Sequence, residues 1–309
     1  MADSPNDAAA VGSGPSTRPA AEVSRSKGEP VHFAGEAARP AGKPARLAGE
    51  LELRKISIRF GGLVAVSDFS LTIRGNELVG LIGPNGAGKT TIFNMLTGVY
   101  RPTSGQIFFC GRPLGGRKPY RVCQLGIART FQNIRLFKNL SVLDNVRIGA
   151  HKTVTYGALS AVLRSSAFER MEREIEERSR SLLGIFGLER RAGEIAGSLP
   201  YGDQRRLEIC RALASEPSLL LLDEPAAGMN TSEALGLMAT IRRIRDEFRI
   251  AILLIEHNME VVMTICERIL VLNYGRTIAE GTPEQIQRDP VVIAAYLGEP
   301  EEAVVEAGL

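Results

Sequence analysis

The chain has 309 residues, 44% of them hydrophobic and 24% charged, with a formal net charge of +3 at pH 7. That length holds one large core, or a core with a subdomain, and so small a charge excess with no concentrated basic face argues against nucleic acid as a partner. The four scattered cysteines read as buried thiols and form no CxxC pair, the three histidines lack metal-ligand spacing, and no run approaches the ~18 apolar residues that cross a bilayer.

More than half of residues 1–48 are Ala, Gly, Pro or Ser, and almost none are large and apolar, so a flexible tail is predicted there. Order is expected from Leu51. Ile56, Ile58 and Phe60 alternate with polar residues, Gly61 and Gly62 turn the chain, and Leu71 and Ile73 mark a second strand before the turn at Gly75 and Asn76. Leu78 to Ile82 is continuously apolar, as a strand buried on both faces is, and Thr90 to Leu96 reads as helix. From about 151 to 200 the pattern becomes helical and charged. Met171, Ile175 and Leu182 share a stripe, and Glu169/Arg173 and Glu174/Arg178 are spaced as outward ion pairs. Leu219–Leu222, Ile250–Ile255 and Ile269–Leu272 then alternate with helical sequence, the signature of a parallel sheet with crossover helices. The predicted fold class is therefore α/β, with an antiparallel β edge and an inserted helical subdomain.

Chemistry concentrates in two stretches. Gly83, Pro84, Asn85, Gly86, Ala87, Gly88, Lys89, Thr90 and Thr91 fit G-x-x-x-x-G-K-[ST] between a buried strand and a helix. Glycines let successive N–H groups face phosphate oxygens, and the helix N-terminus adds its positive end. Lys89 is predicted to reach the β- and γ-phosphates and Thr90 to ligate Mg²⁺. The second stretch is the four leucines that end in Asp223 and Glu224. Asp223 is suited to hold Mg²⁺ through water, and Glu224 to orient or deprotonate the attacking water.

Together these motifs make residues 50–298 resemble the ATP-binding subunits of ABC transporters, which bind ATP and Mg²⁺ on a P-loop core with an antiparallel β subdomain and a helical insertion. The resemblance implies an ATPase domain over residues 49–298, with its helical subdomain at about 133–205 and a short tail over 299–309. Gln132 is similar to the glutamine that senses Mg²⁺ and the γ-phosphate, His257 to the switch histidine, and Phe60 to the aromatic that stacks on adenine. Residues Ala227 to Asn230 sit where the family crosses its dimer interface. The Leu-Ser-Gly-Gly-Gln signature stands here as Leu199, Pro200, Tyr201, Gly202 and Asp203. Tyr201 and Gly202 are thus the expected contacts to a partner's ATP, and Asp203 is expected to bring negative charge near it.

Three stretches resemble the branched-chain amino-acid uptake subgroup: Ala128 to Phe137, Tyr201 to Glu208, and Gly281 to Ile286 with Ala295 to Gly298. That resemblance implies four partner proteins of three kinds and no nucleic acid. They are a second ATPase subunit (the same or a related chain), two transmembrane permeases, and a periplasmic or extracellular solute-binding protein. With no apolar h-region at the N-terminus, the expected location is the cytoplasmic face of the membrane, held there by the permeases. Other readings remain open at this point: a lipopolysaccharide-export ATPase, which shares the Gly-Thr-Pro and Tyr-Leu-Gly ending, and a non-transport ABC ATPase.

Overall fold

The computed structural model describes residues 49–153 and 166–297, so the predicted tails at 1–48 and 299–309 lie outside the described residues. Alternating apolar positions build a four-stranded antiparallel sheet. It contains β1 (Leu51–Phe60), β2 (Leu63–Ile73), β4 (Ser104–Phe109) and β5 (Arg112–Pro113), in the order β2-β1-β4-β5. The pairing of β1 with β2 shifts register three times, around Ile56 and Ile58. Such bulges re-aim the residues beyond them. Ile56 and Ile58 are buried as the alternation predicts, but Phe60 is 43% exposed.

The second sheet has six strands in the order β10-β9-β3-β8-β7-β6. These are β3 (Leu78–Ile82), β6 (Ile127–Arg129), β7 (Leu219–Asp223), β8 (Ala251–Ile255), β9 (Arg268–Asn273) and β10 (Arg276–Gly281). All neighbours are parallel except β9 and β10. Because side chains alternate across a strand, each apolar run serves two cores. Leu220, Leu222, Ile252 and Leu254 join the helical side. Leu219, Leu221, Ala251 and Leu253 join a core shared with the antiparallel sheet and with α1 (Lys89–Leu96).

Chain order then gives α2 (Pro119–Leu125), α3 (Val142–Ala150), α4 (Ser166–Ile185), α5 (Tyr201–Ala214), α6 (Thr231–Phe248), α7 (Met259–Ile265), α8 (Pro283–Arg288) and α9 (Pro290–Leu297). Starts are written in the sequence. Ser141 caps α3 through Asp144 N–H, and Asn230/Glu233 and Thr282/Gln285 form capping boxes on α6 and α8. Of the predicted stripe of α4, Ile175 is buried and Met171 and Leu182 pack partly against the same core, which Leu183, outside that stripe, also enters. On its outer face Glu169 and Arg173 pair as expected, at 4.0 Å. Arg178 does not pair with Glu174; its guanidinium meets Glu216, on the turn beyond α5. That carboxylate is better shielded from water than a neighbour on the same helix face, so the tertiary contact displaces the local one.

Candidate nucleotide site

The buried strand β3 delivers the chain to Gly83, and α1 leaves from Gly88, whose φ of 105° is open to glycine at low cost. Gly83 is equally constrained, since a Cβ there would lie 2.0 Å from the Leu272 carbonyl oxygen at φ +146°. Two backbone bonds brace the loop from outside. Gly275 N–H, in the turn between β9 and β10, donates to Ala87 O at 2.9 Å, and Ser67 N–H on β2 donates to Gly275 O at 2.8 Å. At the loop's centre Lys89 is 7% exposed, and its ammonium donates to Gly83 O at 2.7 Å and Pro84 O at 2.8 Å. Burial lowers its pKa, against the opposing pull of the Glu224 and Asp223 charges.

Strand β7 ends in Asp223, 3% exposed, whose carboxylate pairs with Arg129 at 2.7 Å. Arg129, at the end of β6, also donates to Asn94 Oδ1 of α1 at 2.7 Å, while its Nε is buried without a partner. Glu224 follows in the left-handed region at φ 47°, and its N–H donates to Ile255 O of β8 at 2.9 Å. Such a conformation in a non-glycine residue costs of order 1–3 kcal/mol and persists only where surrounding bonds enforce it. Its carboxylate gathers two of the other predicted residues. Gln132 Nε2 donates to Glu224 Oε2 at 2.8 Å, and His257 Nδ1 lies 3.6 Å from the same oxygen. A carboxylate, an amide and an imidazole therefore converge where β7 and β8 run out.

Three predicted contacts lie elsewhere. Phe60 meets Tyr100 edge to face, with ring centroids 5.1 Å apart, past the C-terminal end of α1. Tyr201 opens α5, and its hydroxyl accepts from Arg205 Nη2 at 2.9 Å. Its ring packs so closely on Gly228 that a Cβ there would come within 3.0 Å. The nearest atom to a Cβ on Gly202 would be Met229 Cε, at 3.9 Å. Asp203 does not stand as free negative charge. Arg191 lies 3.2 Å away and Arg206 3.5 Å, an arrangement the isolated signature does not reveal.

Three charged residues that the sequence reading passed over organise this region. Arg129 holds Asp223, as above. Arg205, 3% exposed, donates to Phe131 O at 2.8 Å and to the Gln132 carbonyl, tying α5 to the segment that carries Gln132. Glu256, 1% exposed, accepts from Ala226 N–H at 2.8 Å. For Arg129 and Glu256 the available signal was a charged residue set directly against an apolar run, which also describes a strand reaching water; Arg205, between Gln204 and Arg206, carried none.

Comparison with known proteins agrees with this geometry. A family model described as ABC transporter matches residues 66–227. A second, described as Branched-chain amino acid ATP-binding cassette transporter, matches residues 276–302. The chain is 46% identical to the high-affinity branched-chain amino acid transport ATP-binding protein LivG of Salmonella typhimurium, over 81% of this chain and 98% of that protein. It is 37% identical to the lipopolysaccharide export system ATP-binding protein LptB of Acidithiobacillus ferridurans, over 76% of this chain and 91% of that protein. Among solved structures it resembles MJ1267, an ATP-binding cassette of an ABC transporter in its ADP conformation, with a TM-score of 0.71 and 28% identity. That match covers 81% of this chain and 99% of the other. With its phosphate loop, its acidic strand end and these matches, the chain belongs to the ABC transporter family and is a nucleotide-binding ATPase of that family.

Proposed function

We propose that this chain hydrolyses ATP to drive uptake of branched-chain amino acids or related small polar solutes, as the ATPase subunit of an importer. The partners in this reading are a second ATPase subunit, two transmembrane permeases and an extracytoplasmic solute-binding protein. No described helix is long and apolar enough to cross a membrane. In this reading the permeases hold the chain against the cytoplasmic face. Support for the cargo comes from the C-terminal match and from the higher identity to the branched-chain relative than to the lipopolysaccharide-export one. Residues 1–48 and 299–309 are tails in this reading, flanking an ATPase domain with a helical insertion at about 133–205.

The observation that carries the catalytic assignment is the convergence of Gln132 and His257 on the Glu224 carboxylate. Gly83, Pro84, Asn85, Gly86, Ala87, Gly88, Lys89, Thr90 and Thr91 cradle the phosphates, and Phe60 stacks on adenine. Glu224 orients a water in line with the γ-phosphate and accepts its proton. His257 contacts the γ-phosphate, and Tyr201 and Gly202 face the partner's nucleotide. The hydroxyl of Thr90, the amide oxygen of Gln132 and the Asp223 carboxylate are hard oxygen donors, a set that suits Mg²⁺ shared with substrate phosphates. Bound there, Mg²⁺ would neutralise phosphate charge. The test is Glu224→Gln in the purified complex. ATP binding should persist while hydrolysis falls by ~10²–10⁴, the range for a positioned acid or base. Near-normal steady-state turnover would remove Glu224 from the reaction.

A further inference from the structure

Glu256 is a carboxylate with no outlet to water, one residue before His257, and the reaction outlined above does not use it. Its two oxygens are committed to backbone donors. One accepts from Ala226 N–H at 2.8 Å, and the other from His257 N–H at 3.3 Å. The Ala226 bond spans the gap between two segments. Ala226 belongs to the turn that carries Glu224, closed by Ala227 N–H donating to Glu224 O at 3.2 Å. Glu256 belongs to the segment that leaves β8 and carries His257.

The same two segments are already joined once, by Glu224 N–H donating to Ile255 O at 2.9 Å. That bond is the last of the β7–β8 ladder, in which Asp223 pairs with Ile255, and beyond it each segment is free to turn unless a further bond ties the two. A second bond two residues along removes that rotation. The left-handed backbone of Glu224 needs such enforcement, since left alone it would relax and carry the carboxylate away. The distance at stake is the 3.6 Å between Glu224 Oε2 and His257 Nδ1. The second Glu256 oxygen lies 3.9 Å from that same imidazole nitrogen, so one side chain meets both the imidazole and the turn that carries Glu224.

We propose that Glu256 is a positioning residue, whose buried side-chain oxygens lock the turn bearing Glu224 to the segment bearing His257 and so fix the spacing of the two. Nothing in this role requires Glu256 to meet nucleotide. It requires an acceptor for Ala226 N–H at the reach of a glutamate; the glutamine carbonyl supplies one, and its NH2 gives up only the longer bond from His257 N–H, which lies within a single segment. An aspartate keeps the charge but falls one methylene short of Ala226.

The inference rests on Glu224 being the hydrolytic residue, so Glu224→Gln is the reference. ATP turnover is measured for the purified complex carrying the full chain, with kcat and KM resolved for Glu256→Asp, Glu256→Ala and Glu256→Gln. The Asp and Ala variants should lose about 10- to 100-fold in kcat, as an orphaned buried donor at a reacting site does. Their KM for ATP should stay within about threefold, because the phosphate loop is untouched, and the Gln variant should recover to within about threefold of the parent. Should the Ala variant not fold, the Asp and Gln pair decides. Unchanged kcat in the Asp variant, a Gln variant as impaired as Asp, or a KM that rises in step with the loss of kcat would each overturn the proposal. An active Glu224→Gln variant would instead overturn the reading beneath it.

Discussion

Replacing Arg129 by methionine should destabilise the protein by about 3 kcal/mol, and the number follows from what surrounds the guanidinium. Arg129 and Asp223 are 6% and 5% exposed at the side chain and 2.7 Å apart. Breaking so buried a pair from one side typically costs about 3–5 kcal/mol, because the remaining charge keeps its desolvation penalty without its partner. The bond to Asn94 Oδ1 is lost as well, adding roughly 1 kcal/mol. Against this, the substitution removes Arg129 Nε, a buried donor that has no acceptor and itself costs about 1–3 kcal/mol. The balance falls at the lower end of the range. Urea unfolding of the full-length chain, followed by circular dichroism without nucleotide, measures the loss directly. The double variant Arg129→Met with Asp223→Asn should recover much of it, since two neutral residues leave no buried charge behind. A loss below about 1 kcal/mol, or a double variant whose loss equals the sum of the two singles, would refute the reasoning by showing that the charges are not coupled.

Glu256 should make stability depend on pH in a defined direction. Burial raises its carboxyl above the usual 4.5, opposed by Ala226 N–H and His257 and reinforced by Glu224. The folded state then binds more protons than the unfolded one between 4.5 and the raised value. Its contribution is therefore present below that window and lost as pH rises through it. Chemical denaturation of the parent and Glu256→Gln across pH should show this decline in the parent alone. Gly83→Ala should abolish nucleotide binding measured with a fluorescent ATP analogue, because its Cβ collides with the Leu272 carbonyl, whereas Gly193→Ala, with no atom within 4 Å, should bind normally. Removing residues 1–48 should leave both melting temperature and turnover unchanged, and a clear fall in either would show that they contribute apolar contacts.

The sequence is most readable where the chemistry is written in consecutive residues. Gly83 to Thr91 carry their backbone donors, the Lys89 ammonium and the Thr90 hydroxyl in one unbroken run, so the motif and its flanking strand suffice to place it. The strands Leu219–Asp223 and Ala251–Ile255 are legible for a related reason, because burial on both faces leaves an uninterrupted apolar run. The two-residue strand β5 and three-residue β6 are not, being shorter than any periodicity that could announce them. Charged residues are the hardest case. Arg178 has a suitable partner four residues back and another beyond α5, and only the folded chain decides between them. Arg205, Arg129 and Glu256 look in sequence like residues bound for solvent, yet all lie against backbone or opposite charge that arrives from 30 or more residues away.

The order of strands in the larger sheet also sets a timetable. β3, which holds the phosphate loop, has β8 on one side and β9 on the other, so Leu78 pairs with Ile252 and Val79 with Arg268. Both neighbours are synthesised roughly 170 to 190 residues after β3 itself. At ribosomal rates of about 5–20 residues per second, β3 waits on the order of 10–40 s before either partner exists. Throughout that interval Leu78 to Ile82, apolar on both faces, has two unsatisfied edges and no sheet to enter. A nascent chain of this design depends on shelter for its central strand until nearly the whole protein has been made, and a truncation before β8 would leave that strand permanently open to other chains.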